Sequence, residues 1–417
     1  MTAGRTGEGR GEAPRGRKAE PRGPGEACRG REPACKPELT SRERVRLALS
    51  HREADRVPLD FGGTDYTSIS RGAMMRLSAE AGLAECRALF SETSQACIVG
   101  ADARRALHGD IAAVTFVDNG GMRPRPLGGD LYRDEWGLTW RRIDHGGGVY
   151  GYEITRHPLA DASDPSEIEN HDWPDFTQAS IYAGLRDQVE QLRGTDYALA
   201  GSYAMGSLFG VFWYLRGMDH FFMDLVMNPE LAHVLMSRST EILQQKMVRF
   251  LEQTGDALDV FCLCGDLGTQ QSLLISPELF REMIKPYLKD AITKARSYTD
   301  AKILYHTCGN VYPLVEDLID CGVDILNPVQ VSAVGMDPAR LKQEFGDRLV
   351  FWGGIDTQHV LPEGSETDVE AEVRLRIEQM GGGGGYVVAP VHNIQNDVPP
   401  RNILALYRAG LEHGWYG

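Results

Sequence analysis

A histidine and a cysteine two residues apart, His306 and Cys308, follow an apolar run in the C-terminal half of the chain. The run at 303–305 predicts a buried strand, and Gly309 predicts a turn directly after it. Residues i and i+2 of an extended chain point to the same side, so the imidazole and the thiolate can bind one ion. Both groups are good zinc ligands. A histidine or cysteine at a strand end is more often a packing residue, so the pair alone does not establish a metal site.

Other predicted strands of the C-terminal half also end in polar side chains. The strands are short and apolar on both faces, and predicted helices alternate with them, which is typical of a parallel sheet covered by helices. In barrels of this kind the active site lies at the carboxyl ends of the strands. The residues at these ends that could do chemistry are Asp266 after strand 257–262, Asn327 and Gln330 at the end of strand 324–329, Asp356 after strand 348–352, and His392 after strand 386–389.

We therefore expect His306, Cys308 and His392 to form a three-ligand zinc site with one position open, as in catalytic rather than structural zinc sites. Cys264, which follows another strand, is better explained as a buried apolar thiol than as a fourth ligand.

The remaining polar residues at the strand ends, Asp266, Asp356, Asn327 and Gln330, are the candidates for catalytic roles. The two aspartates could transfer protons or support the metal ligands. Plainer interpretations stay open, because Asp266 and Asp356 could cap turns or helices and Asn327 could satisfy backbone groups beside Pro328.

The strands and helices that must position these residues alternate along the chain. This alternation predicts a (β/α)8 TIM barrel as a single domain over residues 39–417. Residues 1–38 are rich in Gly, Pro, Arg and Glu and predict a disordered tail. The capping-box pattern at 40–43 begins the first helix, and 56–63 predict the first barrel strand. Residues 110–180 predict a β-hairpin excursion and a loop that form a lid or covering layer. No G-x-G-x-x-G follows a first strand, which argues against a dinucleotide-binding sheet.

Composition narrows the class of partner. The chain has 417 residues, 42% of them apolar, and a formal net charge of −15. This charge argues against nucleic acid or an anionic membrane as the main partner, and no apolar run reaches the length of a membrane span, about 18 residues. The eight cysteines are irregularly spaced and do not predict a disulfide framework. We expect a cytoplasmic protein that acts on a small molecule; its oligomeric state stays open.

Several motifs together resemble the uroporphyrinogen decarboxylase superfamily over about residues 39–415. Such a resemblance implies a (β/α)8 barrel, in agreement with the pattern of strands and helices. The motifs are Thr40-Ser41-Arg42-Glu43-Arg44, Asp55-Arg56-Val57-Pro58, Cys264-Gly265-Asp266-Leu267-Gly268, His306-Thr307-Cys308-Gly309-Asn310, Trp352-Gly353-Gly354-Ile355-Asp356 and Ala389-Pro390-Val391-His392.

Two branches of this superfamily differ in chemistry. The porphyrinogen decarboxylases use no metal and bind substrate carboxylates through an arginine-rich segment near the first strand. Here that segment, 61–66, contains no arginine, and the next is Arg71. The cobamide-dependent methyltransferases hold zinc through a His-x-Cys pair and a later cysteine after Ala-Pro. His306 and Cys308 match the pair, whereas His392 stands at the place of the later cysteine, which puts the acceptor and the metal in question.

Three hypotheses follow from the resemblance. The first is a zinc-dependent methyltransferase that moves a methyl group between a corrinoid, or a methylated substrate, and a thiol-type acceptor, with a corrinoid protein as one candidate partner. The second is a metal-free decarboxylase, and the third is a barrel whose metal is only structural. The missing arginines count against the second hypothesis, and the open ligand position counts against the third.

Overall fold

The computed structural model describes residues 38–86, 88–116, 124–146, 149–202 and 206–417. The predicted tail at 1–38 therefore lies outside the described residues, apart from Glu38. The strands are β1 (Ile111–Val114), β2 (Arg125–Gly128), β3 (Leu131–Arg133), β4 (Thr139–Gly146), β5 (Val149–Arg156), β6 (Ala198–Gly201), β7 (Val260–Cys264), β8 (Lys302–His306), β9 (Ile325–Asn327), β10 (Val350–Trp352) and β11 (Tyr386–Val387).

Helices separate most of these strands. They are α1 (Ser41–Leu49), α2 (Arg71–Ala81), α3 (Ala101–Ala106), α4 (Pro165–Glu169), α5 (Leu185–Arg193), α6 (Leu208–Arg216), α7 (Met218–Met227), α8 (Pro229–Thr254), α9 (Pro277–Leu279), α10 (Lys285–Arg296), α11 (Val315–Cys321), α12 (Pro338–Phe345), α13 (Val360–Glu363), α14 (Glu366–Met380) and α15 (Pro400–His413). The alternation predicted for the C-terminal half is present, since a helix follows each strand from β7 to β11. In the described part of the chain, no helix is long and apolar enough to cross a membrane.

The main sheet is parallel and curved. Its spatial order is β1-β6-β7-β8-β9-β10-β11. The segment at 57–61 contacts both ends of this order: the Asp60 amide donates to the Val388 carbonyl at 2.9 Å, and the Asp110 amide, just before β1, donates to the Leu59 carbonyl at 2.8 Å. Because one segment contacts both edges, the sheet must curve until its edges approach each other.

Residues 110–180 differ from the sequence prediction in two ways. β1 lies within this region and belongs to the main sheet, although only a hairpin was predicted there. The excursion is also larger than a hairpin, because β2, β3, β4 and β5 form a separate antiparallel sheet. The sequence of β1 is four small or branched residues, Ile-Ala-Ala-Val, and so short a run gives no clear periodicity.

Side chains of the main sheet pack on both of its faces, which explains why its strands are apolar throughout. On one face, alternate residues form a compact cluster with Tyr66 packed against it. Its members include Ala200, Val260, Cys262, Leu304, Ile325, Val350, Trp352 and Val387. On the other face, Phe261, Ile303, Leu326 and Phe351 belong to a larger cluster with residues of the surrounding helices.

A buried ionic network fixes the first helix to the sheet. The predicted capping box at Thr40 is present at the start of α1. Arg44 contacts Asp55 and Asp110, both at 2.7 Å, and Arg56 contacts Asp110 at 2.8 Å. All four of these charged side chains are buried. Each charge is therefore matched by an opposite charge, as buried charges require.

Asp60 ends the 57–61 segment and organises the loop after it. Its carboxylate accepts hydrogen bonds from the Gly63 amide at 2.7 Å, the Thr67 hydroxyl at 2.6 Å and the Trp352 indole at 2.9 Å. Burial raises the pKa of Asp60 to about 6. These bonds hold the loop that carries Tyr66 against the carboxyl edge of the sheet.

The cysteine pattern requires a correction. Cys86 and Cys97 form a disulfide with a Cα–Cα distance of 5.9 Å, whereas the sequence indicated only reduced thiols. Cys262, Cys264, Cys308 and Cys321 are free. Cys86 follows α2, whose C-cap Gly82 is in the left-handed conformation, so the disulfide lies in irregular chain.

Candidate metal centre

Three predicted ligands lie together at the carboxyl edge of the main sheet. His306, Cys308 and His392 each place a donor atom within 4.8 Å of the other two. His306 is the last residue of β8, Cys308 lies in the turn after it, and His392 follows β11. Two strands, β9 and β10, separate β8 from β11, so the curvature of the sheet brings the two histidines together, with their ring centroids 5.6 Å apart.

The donors fit zinc in chemistry and spacing. His306 Nε2 lies 3.5 Å from Cys308 Sγ. Tetrahedral zinc, with Zn–N of about 2.0–2.1 Å and Zn–S of about 2.3 Å, separates an imidazole nitrogen from a thiolate by about 3.6 Å. Two imidazoles and one thiolate also leave one tetrahedral position for a further ligand.

Asn327 fixes the orientation and the tautomer of His306. The Asn327 amide nitrogen donates to the Trp352 carbonyl at 3.1 Å, so its Oδ1 faces His306 Nδ1 at 2.6 Å. The Nδ1 atom must then carry the proton and donate it to Asn327. The lone pair of Nε2 is left to face Cys308, which is the arrangement that an imidazole ligand needs.

A second asparagine does the same for His392. Its Nδ1 hydrogen-bonds Oδ1 of Asn393, and that oxygen also accepts from Gln395 Nε2 at 2.5 Å. Because Asn393 Oδ1 can only accept, His392 Nδ1 donates and Nε2 keeps its lone pair. Asn393 and Gln395 were not among the residues predicted from the sequence. The available signal was the position of Asn393 directly after the candidate ligand.

Asp266 and Gln330 hold the turn that carries Cys308. Asp266 Oδ1 accepts from the Cys308 amide at 2.8 Å, and Gln330 Oε1 accepts from the Gly309 amide at 2.6 Å. Gly309 has a φ of +90°, and a Cβ there would lie 2.4 Å from the backbone of Gly268, so only glycine fits. Among the roles considered for Asp266 and Gln330, these contacts favour support of the ligand turn.

Asp356 has contacts of a different kind. Its carboxylate accepts from the Gln358 amide at 2.7 Å and contacts His359 Nδ1 at 3.1 Å. It therefore caps the turn after β10, which is the plainer of the two interpretations considered for it. The described hydrogen bonds of Asp356 do not include any of the three metal donors.

Tyr66 completes one wall of the centre and was missed by sequence reasoning. Its ring stacks on His306 with centroids 4.0 Å apart and planes inclined by 15°. Its hydroxyl hydrogen-bonds the Cys264 sulfur. In the sequence, Tyr66 is one aromatic residue in a loop, and only the curvature of the sheet reveals that it reaches a residue of β8.

Burial keeps both His306 and Cys308 in their uncharged forms. Burial lowers the pKa of His306 to about 4, and His392 acts in the same direction, so the imidazole is neutral as a ligand must be. Burial raises the pKa of the Cys308 thiol well above its usual value. A cation beside this sulfur would offset that effect, because it stabilises the thiolate.

Known proteins resemble this chain in sequence and in fold. A model of the uroporphyrinogen decarboxylase (URO-D) family matches residues 152–413, more than half of the chain. A methylcobamide:CoM methyltransferase MtaA of Methanosarcina barkeri is 31% identical over 140 residues. A uroporphyrinogen decarboxylase of Chlorobium limicola is 23% identical over 185 residues.

These alignments are partial. They cover 34% of this chain and 38% of the methyltransferase, and 43% of this chain and 48% of the decarboxylase, so the matched part spans less than half of each relative. A methyltransferase from Methanosarcina mazei has a similar structure, with a TM-score of 0.61, 19% sequence identity, and coverage of 90% of this chain and 99% of that chain. At this identity the structural likeness shows a shared fold.

Proposed function

The chain belongs to the uroporphyrinogen decarboxylase (URO-D) family, and from this premise we propose that it is a zinc-dependent methyltransferase. It would move a methyl group between a corrinoid, or a methylated substrate, and a thiol-type acceptor, with the corrinoid free or on a partner protein. The observation that carries the proposal is the set of three donors, His306, Cys308 and His392, within 4.8 Å of one another. The similarity to a methylcobamide:CoM methyltransferase supports it.

The proposed chemistry assigns a task to each neighbouring side chain. Zinc at this site would supply the Lewis acidity that keeps an acceptor thiol in its nucleophilic, anionic form at neutral pH. Asn327 and Asn393 hold the imidazoles in the ligand tautomer. Asp266 presents Cys308 by binding its amide. Tyr66 covers one face of His306 and keeps water from that side.

We also propose that the main sheet closes into a (β/α)8 barrel through the segment at 57–61. Supporting this, the segment hydrogen-bonds to the strand at each edge of the sheet. Closure would place Tyr66, which follows the 57–61 segment, and His392, which follows β11, on the same rim as His306.

The decarboxylase alternative has weaker support at the site. The segment at 61–70 presents Asp65 and Tyr66 and contains no cation. Arg56, which precedes it, is buried and bound to Asp110 at 2.8 Å, so it cannot also bind a substrate carboxylate. A site for a substrate with many carboxylates needs paired cations or strong donors, and this loop supplies neither cation nor arginine fork.

Metal analysis of the purified protein tests the proposal directly. We expect about one zinc ion per chain, as in other catalytic zinc sites, and the loss of most of it in Cys308→Ser with the fold retained. Cys321→Ser is the matched control, because Cys321 is a free buried cysteine at the end of α11. Full zinc occupancy in Cys308→Ser, or none in the wild type, would contradict the proposal.

Activity is tested with methylcobalamin and a panel of thiols. Methyl transfer that disappears in both His306→Ala and His392→Ala, but persists in Cys321→Ser, is the expected result. Transfer that survives the loss of either histidine would show that the three-donor site does not carry the reaction.

A further inference from the structure

Three arginines lie in one row across the antiparallel sheet β2–β5. Arg125 of β2 pairs with Arg133 of β3, Arg133 pairs with Thr139 of β4, and Thr139 pairs with Arg156 of β5. Residues paired directly across antiparallel strands point to the same face of the sheet. The three guanidinium groups therefore share one face.

The three arginines line a cavity of about 690 Å³, together with residues between 171 and 181. The volume lies in the range of small-molecule sites, about 300–1,000 Å³. Its walls include all three arginines together with His171, Trp173 and Gln178.

The row lacks the partners that the other arginines of the sheet have. Arg141 contacts Glu153 at 3.2 Å, and Arg142 contacts Asp130 at 3.9 Å. Within the part of the chain that the structure describes, no carboxylate makes an ion pair with Arg125, Arg133 or Arg156. Like charges directly opposite one another weaken a sheet. Arg125 and Arg133 are such a pair, so the row destabilises the free protein.

The carboxylates that do line the cavity are largely committed elsewhere. Asp134 accepts from the Trp136 and Leu138 amides and from the Trp140 indole. Asp175 accepts from the amide and the hydroxyl of Thr177. Burial raises the pKa of Glu135 to about 7, so this group is partly neutral. Asp172 is the remaining acid; it is exposed, as the three arginines are, and it makes no ion pair with them in the described part of the chain.

We propose that this cavity binds a small, multiply charged oxyanion, a phosphate or a polycarboxylate, through Arg125, Arg133 and Arg156. Guanidinium groups bind such oxygens in a planar, two-pronged geometry, and a ligand with several negative charges would remove the repulsion within the row. Trp173 and Gln178 provide a planar surface and a polar group for the rest of the ligand. The site is separate from the metal centre and does not depend on its chemistry.

The site is tested by isothermal titration calorimetry of the zinc-loaded protein. One arm uses inorganic phosphate, and a second arm uses tricarballylate. We expect saturable binding of at least one anion, weakened by about tenfold or more in Arg133→Ala and in Arg156→Ala. Arg141→Ala, on the same sheet but paired with Glu153, should bind as the wild type does. The anion that binds more tightly identifies the chemical class of the ligand. Zinc content is measured before and after the titration, because oxyanions also bind zinc.

The stability of the free protein separates a binding role from a structural one. Arg133→Gln should melt at the same temperature as the wild type or higher at low salt, because it removes one of the like charges. A lower melting temperature for Arg133→Gln would overturn the proposal. Binding of neither anion, or equal binding by Arg133→Ala and Arg141→Ala, would overturn it as well.

Discussion

At the scale of single residues, two asparagines orient the histidines of the candidate metal centre. The Oδ1 atoms of Asn327 and Asn393 each accept a hydrogen bond from the Nδ1 of a histidine, which leaves Nε2 free to bind a metal. Hydrogen bonds of this kind are worth about 10–100-fold in metal affinity. The ligands alone are therefore only part of the site.

Replacing Asn327 by alanine tests this contribution. His306 would lose the acceptor that fixes its tautomer, so we expect zinc affinity to fall by about 10–100-fold, measured by competition with a chelating dye. Asn402→Ala is the control, because Asn402 is a buried asparagine that binds the Leu361 and Gly364 carbonyls instead. Unchanged zinc affinity in Asn327→Ala would exclude the supporting role.

Asp60 should make stability depend on pH. Its pKa of about 6 in the folded protein is above the ordinary value of 3.8 because the carboxyl is buried. The stability that this group contributes is therefore full below its unfolded pKa and is lost as the pH rises through 6. The wild-type advantage over Asp60→Asn should shrink by about 2 kcal/mol between pH 4 and pH 7.

Chemical denaturation of both proteins at several pH values measures this difference. Both carry Cys308→Ser as well, so that acid release of zinc does not contribute. A constant difference across the range would show that Asp60 titrates normally.

At the scale of elements, the first helix depends on one buried carboxylate. Asp110, just before β1, contacts Arg44 and Arg56 and accepts from the Leu59 amide at 2.8 Å. It therefore connects α1, the 57–61 segment and an edge of the sheet. Buried charged side chains such as Asp110 determine whether α1 and the 57–61 segment can pack against the edge of the sheet.

Asp110→Ala leaves two buried arginines without their common partner. We expect it to lower the free energy of unfolding by about 3–5 kcal/mol. Asp130→Ala serves as the comparison, since its partner Arg142 lies 3.9 Å away at the surface, and should leave the unfolding midpoint unchanged. Denaturant unfolding of the two variants checks the prediction; equal effects would show that burial of the network does not matter.

Some strands and helices could be predicted from the sequence, and others could not. The long apolar strands β7 and β8 and the proline-initiated helix α8 follow from local pattern. β1 was missed because four residues of modest size give no periodicity. The register of β2–β5, and with it the arginine row, depends on cross-strand pairing that no local pattern reveals.

At the scale of the whole molecule, the parallel topology predicted which candidate donors would lie near one another, and these donors lie within 4.8 Å of one another. The spacing of His306 and Cys308 indicated a metal, and parallel strands predicted that His392 would lie on the same edge. Tyr66 and Asn393 were missed because their roles depend on the path of loops. The fold class was predicted correctly as α/β with a parallel sheet, on the strength of alternating strands and helices.

The whole-molecule prediction concerns the substrate. We expect no efficient decarboxylation of uroporphyrinogen, because the loop at 61–70 contains no cation and Arg56 is bound to Asp110. The assay is formation of coproporphyrinogen, with a known decarboxylase as the positive control. Turnover at about 1 per second or faster, a normal enzymatic rate, would favour the decarboxylase instead.

The contact of the 57–61 segment with both edges of the sheet also bears on synthesis at the ribosome. Its partner at 388 and the Tyr407 hydroxyl, which donates to the Asp60 carbonyl across 347 residues, emerge long after the segment itself. Until then the backbone groups of Pro58 and Asp60 lack these partners. Contacts this distant in sequence form slowly. We expect nascent chains that stop before β11 to recruit chaperones and to be cut by proteases near residue 60, whereas chains that include β11 and α15 resist both.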